Sequence, residues 1–276
     1  MRILFIGDIV GRSGRRAVEQ HLPTLRRRYA IDFVVVNGEN AAGGFGITET
    51  IYEGLLDAGA DAVTLGNHAF DQREALVFIE RAERLIRPLN YPPETPGRGA
   101  AMVRAQNGCD VLVVNVMGRV FMPHVDCPFR AVDRELEACQ LRSGADVILI
   151  DFHAEATSEK QALGHHLDGR VTAVLGTHTH TPTADDRVLK GGTAFQSDVG
   201  MTGDYDTVIG MKSPEPISRF LTSFRSDRFS PGEGEATVCG IAIETDDATG
   251  LATRVGAVRV GGDLTEQWPF WDEGGS

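Results

Sequence analysis

The sequence predicts an α/β fold built on a largely parallel sheet. Three observations predict it. Short apolar runs alternate with longer segments of helical spacing through residues 3–175, the pattern of strands joined by crossover helices. Each strongly apolar run stops at a polar cluster, as strands do at the ligand-facing edge of such sheets. In the last third the alternation gives way to two consecutive strand-like runs around a turn.

The elements follow in order. Ile3-Leu4-Phe5-Ile6 reads as a buried strand ending at Gly7-Asp8, and residues 12–29 as a long basic helix. Phe33-Val34-Val35-Val36 is a second strand, ending at Asn37-Gly38-Glu39-Asn40. Residues 48–57 read as a helix with Thr48 as N-cap, because a threonine oxygen there satisfies an otherwise orphaned N–H. Ala62-Val63-Thr64-Leu65 is a third strand, ending at Gly66-Asn67-His68, with a helix expected over 71–85. Further strands are read at 111–116, 147–150 and 171–175, with helices at 129–141 and 158–166. The strand at 147–150 runs into Asp151-Phe152-His153, and that at 171–175 into Gly176-Thr177-His178-Thr179-His180. Residues 237–244 and 251–260 form the closing hairpin pair. No repeat, low-complexity tract or linker interrupts the pattern, so a single domain over 1–276 is expected.

Bulk properties exclude some classes. A formal net charge of -12 argues against a duplex nucleic-acid surface, while leaving room for a small anionic substrate if bound cations reverse the local potential. The four cysteines, Cys109, Cys127, Cys139 and Cys239, form no CxxC pair, so reduced thiols and a cytoplasmic location are expected. The opening apolar run reaches Asp8 too soon for a secretory signal. No apolar run is long enough to span a membrane.

The chemistry lies at the strand ends. Asp8, Glu39-Asn40, Asn67-His68, His153 and the His178/His180 pair combine carboxylate, imidazole and amide oxygen, a donor set suited to Fe, Mn or Zn. Sulfur is absent from every cluster, which argues against structural zinc. Two ions roughly 3.5–4 Å apart ionise a bridging water and neutralise phosphoryl oxygens, and a carboxylate such as Glu39 has an oxygen for each ion. Neutral ligands keep such a site cationic and attractive to phosphate.

These blocks resemble the metallophosphoesterase (calcineurin-like) superfamily, whose order is D-x-H, G-D, G-N-H, H and G-H-x-H. Here they read Asp8-Ile9-Val10, Gly38-Glu39-Asn40, Gly66-Asn67-His68, His153 and Thr177-His178-Thr179-His180. Val10 stands where the superfamily has a ligand histidine, and Glu39-Asn40 replaces the usual aspartate and its neighbour. Those departures, the opening run from Met1 to Gly11, Asn37 to Gly44 and Asp198-Val199-Gly200-Met201-Thr202-Gly203 are similar to the YmdB-like phosphodiesterases. The resemblance implies a four-layer αββα sandwich and two metal ions, with iron first and manganese or zinc as alternatives. It implies that Asp8, Asn40 and His180 hold one ion, that Asn67, His153 and His178 hold the other, and that Glu39 bridges them. His68 would be the proton donor while a metal-bridging hydroxide attacks the phosphodiester of a 2′,3′-cyclic nucleotide. Asp71 is read as orienting His68.

Two other functions stay open at this point: a phosphomonoesterase or nucleotidase sharing the same chemistry, and a regulatory metal-binding protein acting by contact, with a protein partner in RNA turnover. A homo-oligomer is also left open. His21, His165 and His166 read as surface residues of helices, Arg26-Arg27-Arg28 as a solvated helix face, and Gly43-Gly44-Phe45-Gly46 as either a flexible turn or a base-stacking loop.

Overall fold

The structure is a computed structural model and describes residues 1–224 and 228–272. The first half of the chain builds β1 (Arg2–Ile6), α1 (Gly11–Arg28), β2 (Phe33–Asn37), α2 (Glu49–Asp57), β3 (Ala62–Thr64), the single-turn α3 (Ala75–Phe78) and β4 (Leu85–Ile86). Next come β5 (Ala100–Arg104), β6 (Asp110–Met117), α4 (Pro128–Ala138), β7 (Val147–His153), α5 (Thr157–Leu167), β8 (Ala173–Thr177), β9 (Arg187–Val188) and β10 (Ala194–Gln196). The chain closes with β11 (Gly203–Asp204), α6 (Pro214–Thr222), β12 (Ala236–Thr245) and β13 (Ala252–Val260).

Two sheets form where the strand pattern alone suggested one. The first runs β11-β12-β1-β2-β3-β4, with β13 paired to β12. Its β1 to β4 core is parallel, and β12 adds antiparallel to β1. The second runs β5-β6-β7-β8-β10-β9, parallel from β6 to β10 and antiparallel at both edges. Period-two side-chain alternation explains the layers. Ile3, Phe5, Phe33 and Val35 of the first sheet pack on Val111, Val113, Val147 and Leu149 of the second. The opposite faces, Leu4, Ile6, Val34 and Val36, meet α1 through Val18, Leu22 and Leu25. Likewise Ile148, Ile150 and Val174 meet α4 and α5 through Val132, Leu136 and Leu163. The result is a four-layer αββα sandwich, and strands buried on both faces read as unbroken apolar runs for that reason.

Local chemistry sets most boundaries. Thr48 caps α2, its Oγ1 accepting the Ile51 N–H at 3.3 Å. The helix expected over 71–85 is corrected to the four residues of α3. Both ends of that segment have other partners: the Asp71 carboxylate holds His68, and Leu85 and Ile86 pair with β3. Leu76 and Val77 are left exposed between them. The basic end of α1 is also corrected, since Arg26 is half-buried and reaches the Gly59 carbonyl and Asp61, 2.8 Å away. Among the described residues no helix is long and apolar enough to cross a membrane.

Candidate metal centre

β1, β2 and β3 of the first sheet and β7 and β8 of the second end at the same edge of the sandwich. The residues following them meet there. Asp8, Glu39, Asn40, His153 and His180 are buried, and Asn67 and His178 are half-buried. Two three-residue donor groups result, Glu39-His153-His178 and Asp8-Glu39-His180, each with its ligating atoms within 4.8 Å of one another. Glu39 belongs to both.

The contacts between donors are those a cation resolves. Around His153 Nε2 lie Asn67 Oδ1 at 3.0 Å, Glu39 Oε1 at 3.1 Å and His178 Nδ1 at 3.0 Å. The two oxygens can only accept, and a ring nitrogen donates or accepts but not both. One proton cannot satisfy all four atoms, whereas a cation at their centre can. Asp8 Oδ1 is buried with no hydrogen-bond partner, an expensive state for a carboxylate oxygen that a cation relieves. His180 Nε2 faces it at 4.0 Å. Asn40 turns Nδ2 toward Glu39 Oε1 at 2.9 Å and His180 Nε2 at 3.2 Å; half a turn of the amide puts Oδ1 in the same place. The donor set therefore fits metal ions.

The outer contacts fix which nitrogen each histidine offers. His153 Nδ1 lies 2.9 Å from Thr177 Oγ1, whose hydroxyl donates to Asp151 Oδ1 at 2.7 Å. Nδ1 must therefore carry the proton, leaving the Nε2 lone pair for the centre. His180 Nδ1 donates to the Ile209 carbonyl at 2.8 Å, which frees its Nε2 in the same way. Asn37 ties the two sheets together below the site, donating to Asp151 Oδ2 at 2.9 Å and accepting the Glu39 N–H at 3.1 Å. Gly66 admits no side chain, because an added Cβ would overlap Glu39 Oε2 and the His153 ring.

Electrostatics follow from burial and crowding. Burial raises the Asp8 carboxyl to about 6, with His180 and His153 offsetting part of the effect. Burial opposes charge on His153 as well, but Glu39, Asp8 and Asp151 together outweigh it and push the imidazole up to about 9. Burial and the neighbouring His153 drive His178 down to about 3. The acids and bases of this cluster are thus pulled far from their ordinary values, the pattern of a functional site.

His178 and His180 hold positive φ angles of 99° and 64°, a region that non-glycine residues enter at a cost. Thr179 between them is pinned by Asp198, whose Oδ2 accepts its N–H at 3.0 Å and its hydroxyl at 2.8 Å. Lys160 Nζ donates to the same oxygen at 2.8 Å.

Comparison with known proteins identifies the family. The profile of the YmdB-like protein family matches residues 4–258. The chain belongs to the YmdB-like family. It is 48% identical to the Bacillus subtilis protein named 2′,3′-cyclic-nucleotide 2′-phosphodiesterase, over 95% of this chain and 98% of that protein. The crystal structure of a hypothetical protein from Thermus thermophilus superposes with a TM-score of 0.87 at 46% identity, covering 95% of this chain and 100% of that one. A Mycoplasma pneumoniae protein described as a novel phosphatase gives 0.86 at 32% identity, covering 99% and 96%.

In this family member the donor cluster opens into a cleft. His68 lies beside the metal-type donors, its Nδ1 2.7 Å from Asp71 Oδ2, and its backbone N–H donates to Glu39 Oε2 at 3.2 Å. Phe45 sets its ring against the His68 ring in a T-shaped contact, centroids 5.1 Å apart. The cleft encloses about 660 Å³, with Glu39, His178 and His180 on one side and Val208, Met211, Phe220 and Phe229 on another. Sequence reasoning gave no role to Thr177, Asp151, Asn37 or Lys160 and, apart from Phe45 as a base-stacking candidate, did not find the apolar lining. The supporting residues carry no motif beyond proximity to the ligands, and a lysine on an expected helix reads as surface.

Proposed function

We propose that this chain is a metal-dependent phosphodiesterase acting on small phosphodiesters, with 2′,3′-cyclic nucleotides as its favoured substrates. The observation that carries this reading is Glu39, shared by two donor groups, as a carboxylate spanning two ions must be. The name of the 48% identical Bacillus relative supports the substrate class. Asp8, Asn40 and His180 would hold one ion and Asn67, His153 and His178 the other, with Glu39 common to both. Iron is the first expectation, manganese or zinc the alternatives. Ions held there would neutralise the phosphoryl oxygens and make water nucleophilic at neutral pH.

The chain's own groups do the remaining work. The Asp71 carboxylate lies 2.7 Å from His68 Nδ1 and holds the ring in place, leaving His68 Nε2 as the atom that gives a proton. That proton goes to the leaving ribose oxygen as the phosphorus–oxygen bond breaks. The Thr177–Asp151 relay and the Ile209 carbonyl hold the two buried histidines in the tautomers described above, so neither imidazole must reorient during turnover.

Metal analysis of the purified protein, combined with a substrate panel, tests this reading. Bound metal and faster hydrolysis of 2′,3′- than of 3′,5′-cyclic nucleotides, and of bis-(p-nitrophenyl) phosphate than of the mono-ester, are expected. A faster mono-ester reaction would favour a phosphomonoesterase. Metal-loaded protein with no hydrolysis of either would favour a regulatory binding role.

A further inference from the structure

The apolar side of the cleft has no part in metal binding or proton transfer, yet it belongs to the same cavity. Phe220 on α6 lines it while 87% exposed, a large apolar ring that folding leaves open to solvent. Phe229 lines it too, carrying the Arg219 guanidinium over its ring at 3.6 Å. The loop between β11 and α6 joins this side to the donor cluster. Ile209 is β-branched and held at a positive φ of 47°, a strained conformation for such a residue. Its carbonyl accepts the His180 Nδ1 proton, and its side chain lines the cleft at 59% exposure. One strained residue thus orients a candidate metal ligand through its carbonyl and lines the cleft with its side chain.

We propose that this side of the cleft, with Phe220 as its main contact, is a nucleobase subsite that distinguishes nucleoside phosphodiesters from base-free ones. The inference rests on the phosphodiesterase reading above and adds the recognition element to it. A nucleobase is flat, uncharged and aromatic on its faces, which matches a surface of Phe220, Phe229, Met211 and Val208. Arg219 lines this side too but is ion-paired with Glu215 at 2.8 Å, and a bare phosphodiester offers nothing to the apolar side chains around it. The cavity lies within the size range of small-ligand sites, and its lining combines metal-type donors with aromatic and aliphatic side chains. Stacking on an aromatic ring tolerates any base, because every base has a π-face.

The experiment compares 2′,3′-cyclic AMP with glycerol 1,2-cyclic phosphate on wild type, Phe220→Ala, Phe220→Trp and Leu221→Ala. Leu221 is the control: it lies on the same helix, is 80% exposed and does not line the cleft. The wild-type preference in kcat/KM for the nucleotide should fall roughly tenfold in Phe220→Ala, the size of one lost base stack. The fall should appear in KM, and Phe220→Trp should restore the preference. Leu221→Ala should keep it. An unchanged preference in Phe220→Ala, or equal losses on both substrates, overturns the subsite. So does a change of molecular mass in solution for that variant without a change of preference, which would assign the patch to a second copy of the chain. Calorimetric binding of adenosine to the same variants does not depend on turnover. Weaker binding in Phe220→Ala supports the subsite even if no phosphodiester is hydrolysed, and equal binding refutes it even if hydrolysis is fast.

Discussion

Lys160 and Asp198 form a salt bridge of 2.8 Å with both side chains about 98% removed from solvent. Asp198 uses the same oxygen to hold Thr179, between the two strained histidines, and its other oxygen accepts the Gly200 N–H at 2.9 Å. The pair therefore joins α5 to the loop that presents His178 and His180. Breaking it from one side leaves a buried charge without its partner, which typically costs about 3–5 kcal/mol. Lys160→Met should lower stability by about that amount in chemical denaturation and also reduce metal affinity. A stable variant with wild-type metal content would show that the pair does not hold the loop.

Replacing Asp8 or Glu39 should strip metal before it disturbs the fold. Glu39→Ala should lower occupancy of both ions, because Glu39 belongs to both donor groups. Asp8→Ala should affect one ion more than the other. Elemental analysis beside circular dichroism reads both outcomes, and full occupancy in the two variants would sink the ligand assignment.

His68→Ala should retain metal and lose about 10²–10⁴-fold in kcat, the usual range for a general acid. Asp71→Asn should lose less, since it removes only the negative charge beside Nδ1, keeps an amide oxygen able to accept, and leaves the imidazole in place. Steady-state kinetics of the pair decide it. Equal turnover for wild type and His68→Ala removes the proton-donor role.

Cys239 supplies a pH prediction away from the centre. Burial raises its thiol from the ordinary 9.0 to about 12, with the Tyr205 hydroxyl offsetting part of the effect. A raised folded value favours the neutral thiol. Its contribution to stability is therefore complete below pH 9 and is lost as pH rises toward 12. A thiol reagent at pH 8 should label Cys239 only after unfolding. Rapid labelling of Cys239 in the native protein would contradict the burial.

The strand ends were legible in the sequence because a strand buried on both faces shows as a continuous apolar run, and the polar cluster that follows it marks the edge of the sheet. Asp8, Glu39, Asn67, His153 and His178 could each be located that way. The helix over 71–85 could not be read correctly, because its ends were claimed by His68 and by β3 rather than by helical propensity. The short strands β4, β5, β9, β10 and β11 were invisible for a related reason: two to five residues with no clear period gain their partners only from a neighbouring strand.

Two things were thus set by sequence alone: which residues carry donor atoms, and that each stands at the end of a strand. Tertiary structure decided the rest. It split the strands between two sheets and brought their ends to one edge. It gave His153 and His180 their tautomers through Thr177 and Ile209, and it placed an exposed Phe220 in the same cavity as Glu39. Apolar periodicity is a local property of consecutive residues. Which nitrogen keeps a proton, and which wall faces a metal-type site, depend on contacts between residues far apart in the chain, and those exist only once the sheets have packed.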